Sequence, residues 1–300
     1  MTVTAGPASD ERSGTTPTAD VSVVIVNWNS GEDLSRCVAS VLESTGDARV
    51  QVVVVDNHSG DGSADRARDA FPVVRVIHNV ANRGFGAAAN QGIRASDADW
   101  VFLLNPDARI AGGTLGGVLK VASGHPRAGA IGVLTRTEDG AVYPSARKVP
   151  SYAEAAGHAM LAPFAPNNRW SRAYTMAGWD RSTERQVDWV SGSSMLLRRE
   201  ALDRVGVFDE DYFLYVEDLD LCTRLREDGW EVWFTPELDV VHAVGSVTRG
   251  KRRMTQEHAR SMYRYFVKRR SPGARAALRP AAWLVLTMWA EVVSRRRGER

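Results

Sequence analysis

Val21-Ser-Val-Val-Ile-Val26-Asn27-Trp28-Asn29 is the stretch whose reading decides the fold. It is a short β-branched run, as expected of a strand buried on both faces of a sheet. A polar cluster then ends it. Val50-Gln-Val-Val-Val-Val55 repeats the design and stops at Asp56-Asn57. Between the two runs, Leu34, Val38, Val41 and Leu42 fall on one side of a helix over 32–43. Turn-forming residues at 57–63 lead into an Ala/Arg/Asp helix and a third strand over 73–77. A small-residue helix over 84–95 and a fourth strand, Trp100-Val-Phe-Leu-Leu104, follow. Strands alternating with helices imply parallel βαβ units, hence an α/β sheet of Rossmann-like type with helices on both faces.

Ligands of open α/β sheets bind beyond the carboxyl ends of the strands. Three polar clusters fall there: Asn27-Trp28-Asn29, Asp56-Asn57 and Asn105-Pro106-Asp107. Asn and Asp are ordinary turn formers, so any one cluster alone reads as a turn. Three on one sheet edge read as a site. Asp107, just past a buried strand, suits a hard divalent cation that leaves positions for diphosphate oxygens. Asp56 can accept hydrogen bonds from a base or ribose, and Trp28 offers a flat face for stacking. Gly84-Phe-Gly-Ala-Ala-Ala89 mimics a dinucleotide fingerprint, but it does not follow the first strand, which argues against a nicotinamide dehydrogenase.

The rest of the chain is less regular. Residues 130–188 hold Pro144, Pro150, Pro163 and Pro166 and show no sustained period. A strand is expected over 187–198, a helix over 218–229 ended by Gly229, and short strands at 232–234 and 240–241. Glu217, Asp218 and Asp220 form a like-charge cluster beside aromatics, which a metal or a raised pKa would relieve. N-capping of the helix explains one of these acids more easily than three. His242 alone, after Val240-Val241, reads first as a structural histidine.

Composition sets outer bounds. With 300 residues, 44% apolar and 25% charged, the chain is of globular type. Cys37 and Cys222 suggest no disulfide framework and a reducing compartment. Residues 1–20 lack an apolar signal-peptide segment and read as a disordered leader. Residues 249–300 carry 15 Lys and Arg against 3 acids, a balance of +12, so the remainder carries −10 of the net +2. A basic extension on an acidic body points to an anionic surface. Met254, His258, Met262, Tyr265 and Phe266 form a helical stripe there. The last apolar run, over 281–293, is too short to span a bilayer.

The ordered set of motifs resembles the inverting family 2 glycosyltransferases of GT-A fold. It comprises residues 21–29, Val52–Asn57 with Ser59 and Asp61-Gly-Ser63, Asn82-Arg83-Gly84-Phe-Gly86, and Asn105-Pro-Asp107. Trp189-Val-Ser-Gly192, Glu217-Asp218 and Asp220-Leu-Cys-Thr-Arg224 complete it. Residues 140–147, 162–164 and 189–199 are similar to a subgroup of rhamnosyltransferases acting on decaprenyl-diphosphate-linked N-acetylglucosamine. The resemblance implies a glycosyltransferase domain over 21–247 and a basic amphipathic helical extension over 248–300.

It also implies roles. Val26, Trp28, Asp56, Asn82, Arg83, Gly84 and Asn105 would bind the nucleotide-sugar, with Asp56 on the base. Asp107 and His242 would hold a divalent metal, Mn2+ or Mg2+, with Asn105 where the family's first aspartate stands. Asp218 would be the general base, and Trp189, Gly192 and Glu217 would lie on the acceptor side. The reaction implied is transfer of a sugar, L-rhamnose from dTDP-L-rhamnose, to a polyprenyl-diphosphate-linked sugar in cell-wall linker synthesis. The enzyme would work in the cytoplasm, peripheral at the inner face of the plasma membrane, and a homo-oligomer is left open. A family 2 enzyme with another nucleotide-sugar, and a non-catalytic sugar-nucleotide-binding module, are the alternatives. No nucleic-acid partner is expected, because the body is acidic and lacks a matching module.

Overall fold

The computed structural model describes residues 19–162, 164–165, 167–243 and 252–298, with side chains to 295. Most of the expected leader, and the boundary expected at 247/248, lie outside the described residues. Ala19 is already buried, and Asp20 is tied to Arg49 through both backbone and side chain.

The first half follows the expected alternation. β1 (Val21–Asn27), α1 (Asp33–Glu43), β2 (Val50–Asp56), α2 (Ser63–Ala70), β3 (Arg75–His78), α3 (Phe85–Arg94) and β4 (Trp100–Leu104) succeed one another. Strands β3, β2, β1 and β4 are adjacent in that order and parallel. Val21, Val23 and Ile25 of β1 enter one core layer with Leu34, Val38 and Val41 of α1. Val24 and Val26 enter the opposite layer with Ala88, Ala89 and Ile93 of α3. Helices on both faces are why β1 is apolar at consecutive positions.

The second half departs from a parallel sheet. β5 (Ala108–Gly112), α4 (Leu115–Gly124), β6 (Ala128–Arg136), β7 (Ala146–Arg147), α5 (Tyr152–Leu161) and α6 (Arg169–Tyr174) come next. Then follow β8 (Arg185–Gln186), β9 (Trp189–Val190), β10 (Ser194–Arg198), α7 (Arg199–Val205), α8 (Glu217–Glu227) and β11 (Glu231–His242). β10 runs antiparallel between β4 and β6, while β11 is parallel to β6 and antiparallel to β5 and β8. The sheet is therefore mixed.

Three local expectations change. The run over 187–198 is two strands: β9 pairs with β7 in a small separate sheet, and β10 joins the main one after a break at Ser191-Gly192-Ser193. The two short late strands are one twelve-residue strand, β11, whose register slips between Thr235 and Asp239 around Pro236. β6 emerges largely from the stretch that showed no period, because its buried positions include Ala128, Gly129, Ala130 and Gly132, which give neither alternation nor a β-branched run. Its Gly132 leaves room for Val190, whose Cγ1 would lie 2.6 Å from a Cβ there.

Beyond β11, α9 (Arg252–Tyr265) carries the expected stripe and lies against the body of the sheet domain. Ser261 donates to the carbonyl of Leu214 (2.9 Å), and the hydroxyls of Tyr265 and Thr223 are 3.0 Å apart. A π-helical turn, a short 3-10 segment and α10 (Arg279–Gly298) complete the described chain. The helical stretch Gly273–Arg295 outruns the apolar run at both ends and is, by length and composition alone, sufficient to cross a membrane. Little of it is fully buried, with Ala290 and Val293 covered and the rings of Trp283 and Trp289 set edge-on to Tyr263 and His258 of α9.

Helix α3 sits close on β1 because Gly92 has no side chain. A Cβ there would lie 2.3 Å from Val24 Cγ1. Gly92→Ala is expected to cost about 1–3 kcal/mol through overpacking, despite the better helix propensity of Ala. In thermal denaturation this is a fall in Tm of several degrees, whereas Gly60→Ala, with no atom within 4 Å of the added carbon, should leave Tm unchanged.

Candidate active site

The parallel strands end together, with Asn27 opposite Asp56. Asn27 is buried, and its amide donates to Asp56 Oδ1 (2.8 Å), Ser59 Oγ (3.1 Å) and Ser63 Oγ (2.8 Å). Asp56 Oδ2 accepts from the Ser59 N–H (3.2 Å), and half-exposed His78 lies 3.6 Å away. Asp56 is thus a fixed carboxylate at the floor of the cleft, with Trp28 partly exposed on the same rim. The side chain of Val26 belongs to the core, so only its backbone faces this edge.

The Asn82-Arg83-Gly84 segment is organised by Asn57. Asn57 Nδ2 donates to Asn82 Oδ1 (3.0 Å) and the Gly84 carbonyl (3.1 Å), and its Oδ1 accepts from the Arg83 N–H (3.0 Å). Gly84 has φ +84°, and a Cβ would lie 2.4 Å from the Phe213 carbonyl, so glycine alone fits. Arg83 is half-exposed, with Glu210 at 3.6 Å.

β11 brings His242 opposite Ala108 of β5 and so beside the Asn105-Pro106-Asp107 turn. His242 Nε2 lies 3.0 Å from Asp107 Oδ1 and 3.1 Å from Asn105 Nδ2. The other ring nitrogen is buried without a hydrogen bond. Among the described residues no three His, Cys, Asp or Glu side chains cluster as a metal site. A cation here would have this carboxylate–imidazole pair and take its other ligands from a diphosphate or water. The residues fit that use, since two ligands about 2.1 Å from an octahedral ion and at right angles are about 3.0 Å apart.

The three acids near α8 behave differently. Asp220 is fully buried and paired with Arg224 and Arg269, at 2.9 and 2.8 Å. It is structural and faces other partners, so it does not raise the pKa of Asp218 as a three-acid cluster would suggest. Asp218 reaches the cleft, its Oδ2 accepting from the Gly192 N–H (3.0 Å) and its Oδ1 from the Leu219 N–H (2.8 Å). Burial raises its pKa, while those N–H groups and the charge of Arg147 hold the rise back. Glu217 is buried with Oε2 unpartnered, and its pKa is pushed well up by burial and then by Asp218.

All three residues expected on the acceptor side, Trp189, Gly192 and Glu217, are buried. Directly over Trp189 is Arg147, 5.0 Å from its ring and also among Tyr143 and Tyr174. In the sequence, Arg147 is marked only by the resemblance of residues 140–147 and carries no expected role. Its position depends on β7 pairing with β9, which no local pattern announces.

The profile of glycosyl transferase family 2 matches residues 22–206, most of the domain just described. The chain belongs to that family. This glycosyltransferase is 41% identical over 269 residues to the N-acetylglucosaminyl-diphospho-decaprenol L-rhamnosyltransferase of Mycobacterium tuberculosis, covering 86% of this chain and 87% of the relative. A rhamnosyltransferase of Escherichia coli, WbbL, is 36% identical over 85 residues, 28% of this chain and 32% of its own. Among solved structures, a mannosyltransferase of Pyrobaculum calidifontis, in complex with GDP-Man and Mn2+, superposes with TM-score 0.56 at 18% identity. That alignment covers 92% of this chain and 76% of the other. GalNAc-T7 with UDP, GalNAc and Mn2+ gives TM-score 0.60 at 18% identity, over 91% of this chain and 56% of that one. These likenesses establish the GT-A fold of the glycosyltransferase.

Glu217 supplies a stability test. Its folded pKa lies above the unfolded value of about 4.3, so protonation favours the fold. That contribution is complete below the unfolded pKa and is lost as pH rises through the folded one. Glu217→Gln removes the titration. The variant should gain on the wild type as pH rises from 5 to 8, by at most about 1.4 kcal/mol per pH unit. Urea denaturation at the two pH values measures it, and a constant difference would mean Glu217 is already ionised at pH 5.

Proposed function

We propose that this enzyme transfers L-rhamnose from dTDP-L-rhamnose, with inversion, to a hydroxyl of N-acetylglucosamine carried on a polyprenyl diphosphate. The observation that carries the reading is the 41% identity to the mycobacterial enzyme, which runs through 86% of the chain. On this reading residues 21–247 are the catalytic domain, and residues 248–300 serve to bring it to its lipid-borne acceptor.

Each side chain has a task in that reaction. Asp56 receives hydrogen bonds from the base, with Trp28 packed beside it, and the Asn82-Arg83-Gly84 loop closes over the nucleotide. Asn105 orients the diphosphate. Asp107 and His242 would hold a divalent metal, Mn2+ or Mg2+, which would offset charge on the departing nucleoside diphosphate. Gly192 and Glu217 shape the acceptor side. The acceptor oxygen attacks the anomeric carbon from the face opposite the diphosphate and passes its proton to Asp218. A carboxylate with a raised pKa is suited to that transfer at neutral pH. Because Gly192 and Leu219 hold its two oxygens through backbone N–H groups, Asp218 keeps its aim without a side-chain partner to compete for the proton.

The test is transfer by the purified full chain with dTDP-L-rhamnose, divalent metal and a polyprenyl-diphosphate N-acetylglucosamine acceptor. Asp218→Asn should lower transfer by about 10²–10⁴-fold while leaving dTDP affinity near normal by calorimetry. Excess EDTA should silence the wild type. Product from another nucleotide-sugar alone would replace the rhamnosyl reading, and a variant keeping more than a tenth of the activity would move the base elsewhere.

The same reading accounts for the C-terminal surface. Leu278, Trp283, Leu284, Val285, Met288 and Val292 are all exposed, and Arg275 and Arg279 lie at the start of the same helical stretch. Not every base is available, because Lys268 and Arg269 neutralise Asp211 and Asp220 of the body. Peripheral binding at the cytoplasmic leaflet would bury these apolar groups, with about 1 kcal/mol added for each base near anionic lipid. Leu284→Glu combined with Met288→Glu should abolish co-sedimentation with anionic liposomes and leave donor hydrolysis intact. If this variant and the wild type pellet equally, the helix has another role.

A further inference from the structure

Arg147 makes no direct ion pair among the described residues, although the Asp218 carboxylate is near enough to feel its charge. Strand β7 sets it opposite Trp189 of β9, and β9 runs directly into Gly192, whose N–H holds Asp218. The guanidinium lies 5.7 Å from the ring centre of Tyr143, 5.4 Å from that of Tyr174 and 5.0 Å from that of Trp189. Nε donates to the Pro144 carbonyl (2.7 Å), Nη1 to the Tyr174 hydroxyl (3.3 Å) and Nη2 to the Tyr143 hydroxyl (3.1 Å). A guanidinium has five N–H groups, so two have no partner among the described residues.

Other arginines near the core give most of their N–H groups to the protein. Arg199 donates to the carbonyls of Ile93, Ser96 and Ala98 and to Ser96 Oγ, Arg181 donates to the carbonyls of Ala146, Thr175 and Trp179 with Nε left unpartnered, and Arg224 and Arg269 share Asp220. Arg147 makes no ion pair among the described residues, and what surrounds it orients the guanidinium rather than neutralising it. Aromatic faces offset part of the cost of desolvating a cation. They leave its charge and its two remaining donors for a ligand. Tyr143 also meets His242 edge-on, with ring centres 6.5 Å apart. Arg147 therefore stands on the wall between the aspartate at Gly192 and the His242–Asp107 pair.

We propose that Arg147 is an anion-binding residue that takes a phosphate of the acceptor's diphosphate, with Tyr143, Tyr174 and Trp189 holding its guanidinium for that contact. The inference rests on the lipid-diphosphate acceptor reading above. Donor and acceptor both carry a diphosphate, and the shared chemistry is a fork of N–H groups on phosphate oxygens. The donor's diphosphate has the Asp107–His242 pair and its cation. The acceptor brings a second diphosphate to the Asp218 side, where Arg147 offers two N–H groups that have no partner among the described residues.

Equilibrium binding separates the sources. The full-length protein, with divalent metal, is titrated with dTDP, and then, in saturating dTDP, with a short-chain prenyl-diphosphate N-acetylglucosamine. Arg147→Met should weaken the acceptor analogue by about 10–100-fold and leave dTDP affinity within twofold. Arg147→Lys should fall between the two proteins, because it keeps the charge and loses the fork. Tyr174→Phe, which removes one orienting hydroxyl, should give a smaller loss specific to the acceptor analogue. It also keeps the test open should Arg147→Met fail to fold by circular dichroism. Equal acceptor affinity in wild type and variants overturns this inference and leaves the proposed function standing. A matching loss of dTDP affinity assigns Arg147 to the donor and also overturns it. If the wild type binds no prenyl-diphosphate sugar at all, the acceptor reading itself fails.

Discussion

Strand β10 lies antiparallel between β4 and β6, with Met195 opposite Leu103 on one side and Gly132 on the other. Its hydrogen bonds join the two halves of the molecule. The turn before it, Ser191-Gly192-Ser193, is thereby drawn to the carboxyl edge of β4, where the Ser193 carbonyl accepts from the Asn105 N–H at 2.9 Å. Gly192, one residue earlier, holds Asp218. One strand insertion thus brings the Asn105–Asp107 turn and the acid pair of α8, more than a hundred residues apart, to the two sides of one cleft. Were β10 displaced by one residue, its side chains would exchange faces and the turn would leave the edge.

The segment ahead of α8 is the second point of attachment. Tyr215 and Val216 both have positive φ, at 67° and 73°, and for a β-branched residue this is a strained conformation costing about 1–3 kcal/mol. Neighbouring contacts hold it there. The Phe213 carbonyl accepts from the Phe85 N–H (2.9 Å) over the bare face of Gly84, and the Leu214 carbonyl accepts from Ser261 of α9. The glycine loop, the acid pair and the first C-terminal helix are therefore one mechanical unit. Within the extension, therefore, α9 is the helix anchored to the body, and α10 is the helix that carries exposed apolar groups.

Charge in the interior follows one rule with three outcomes. Asp220 is neutralised by two arginines and is inert, Asp218 is held by backbone N–H groups and kept available, and Glu217 is buried with an oxygen unpartnered. A buried charge is expensive unless it is paired. Glu217, with an unpartnered oxygen, and Arg147, with no direct ion pair among the described residues, both lie on the Asp218 side of the site.

The sequence by itself determined the parallel half of the sheet and the positions of its polar strand ends. Buried β-branched runs that stop at Asn27, Asp56 and Asn105 are local patterns, and strand ends follow from them without knowledge of the partner strand. The family motifs likewise carried Asp107, Asp218 and His242, and the fold sets Asp107 and His242 3.0 Å apart. Only the tertiary structure decided the rest. β6 was illegible because Ala128, Gly129, Ala130 and Gly132 interrupt the β-branched run that marks β1 and β2, and the division of residues 187–198 into β9 and β10 depends on which neighbours each half pairs with. That Asp220 is structural while Asp218 faces the cleft turns on the placement of Arg224 and Arg269, the latter 49 residues distant. Arg147 came into view only through the pairing of β7 with β9, since an arginine in a loop-like sequence shows neither its aromatic neighbours nor its lack of a direct ion pair until distant strands enclose it.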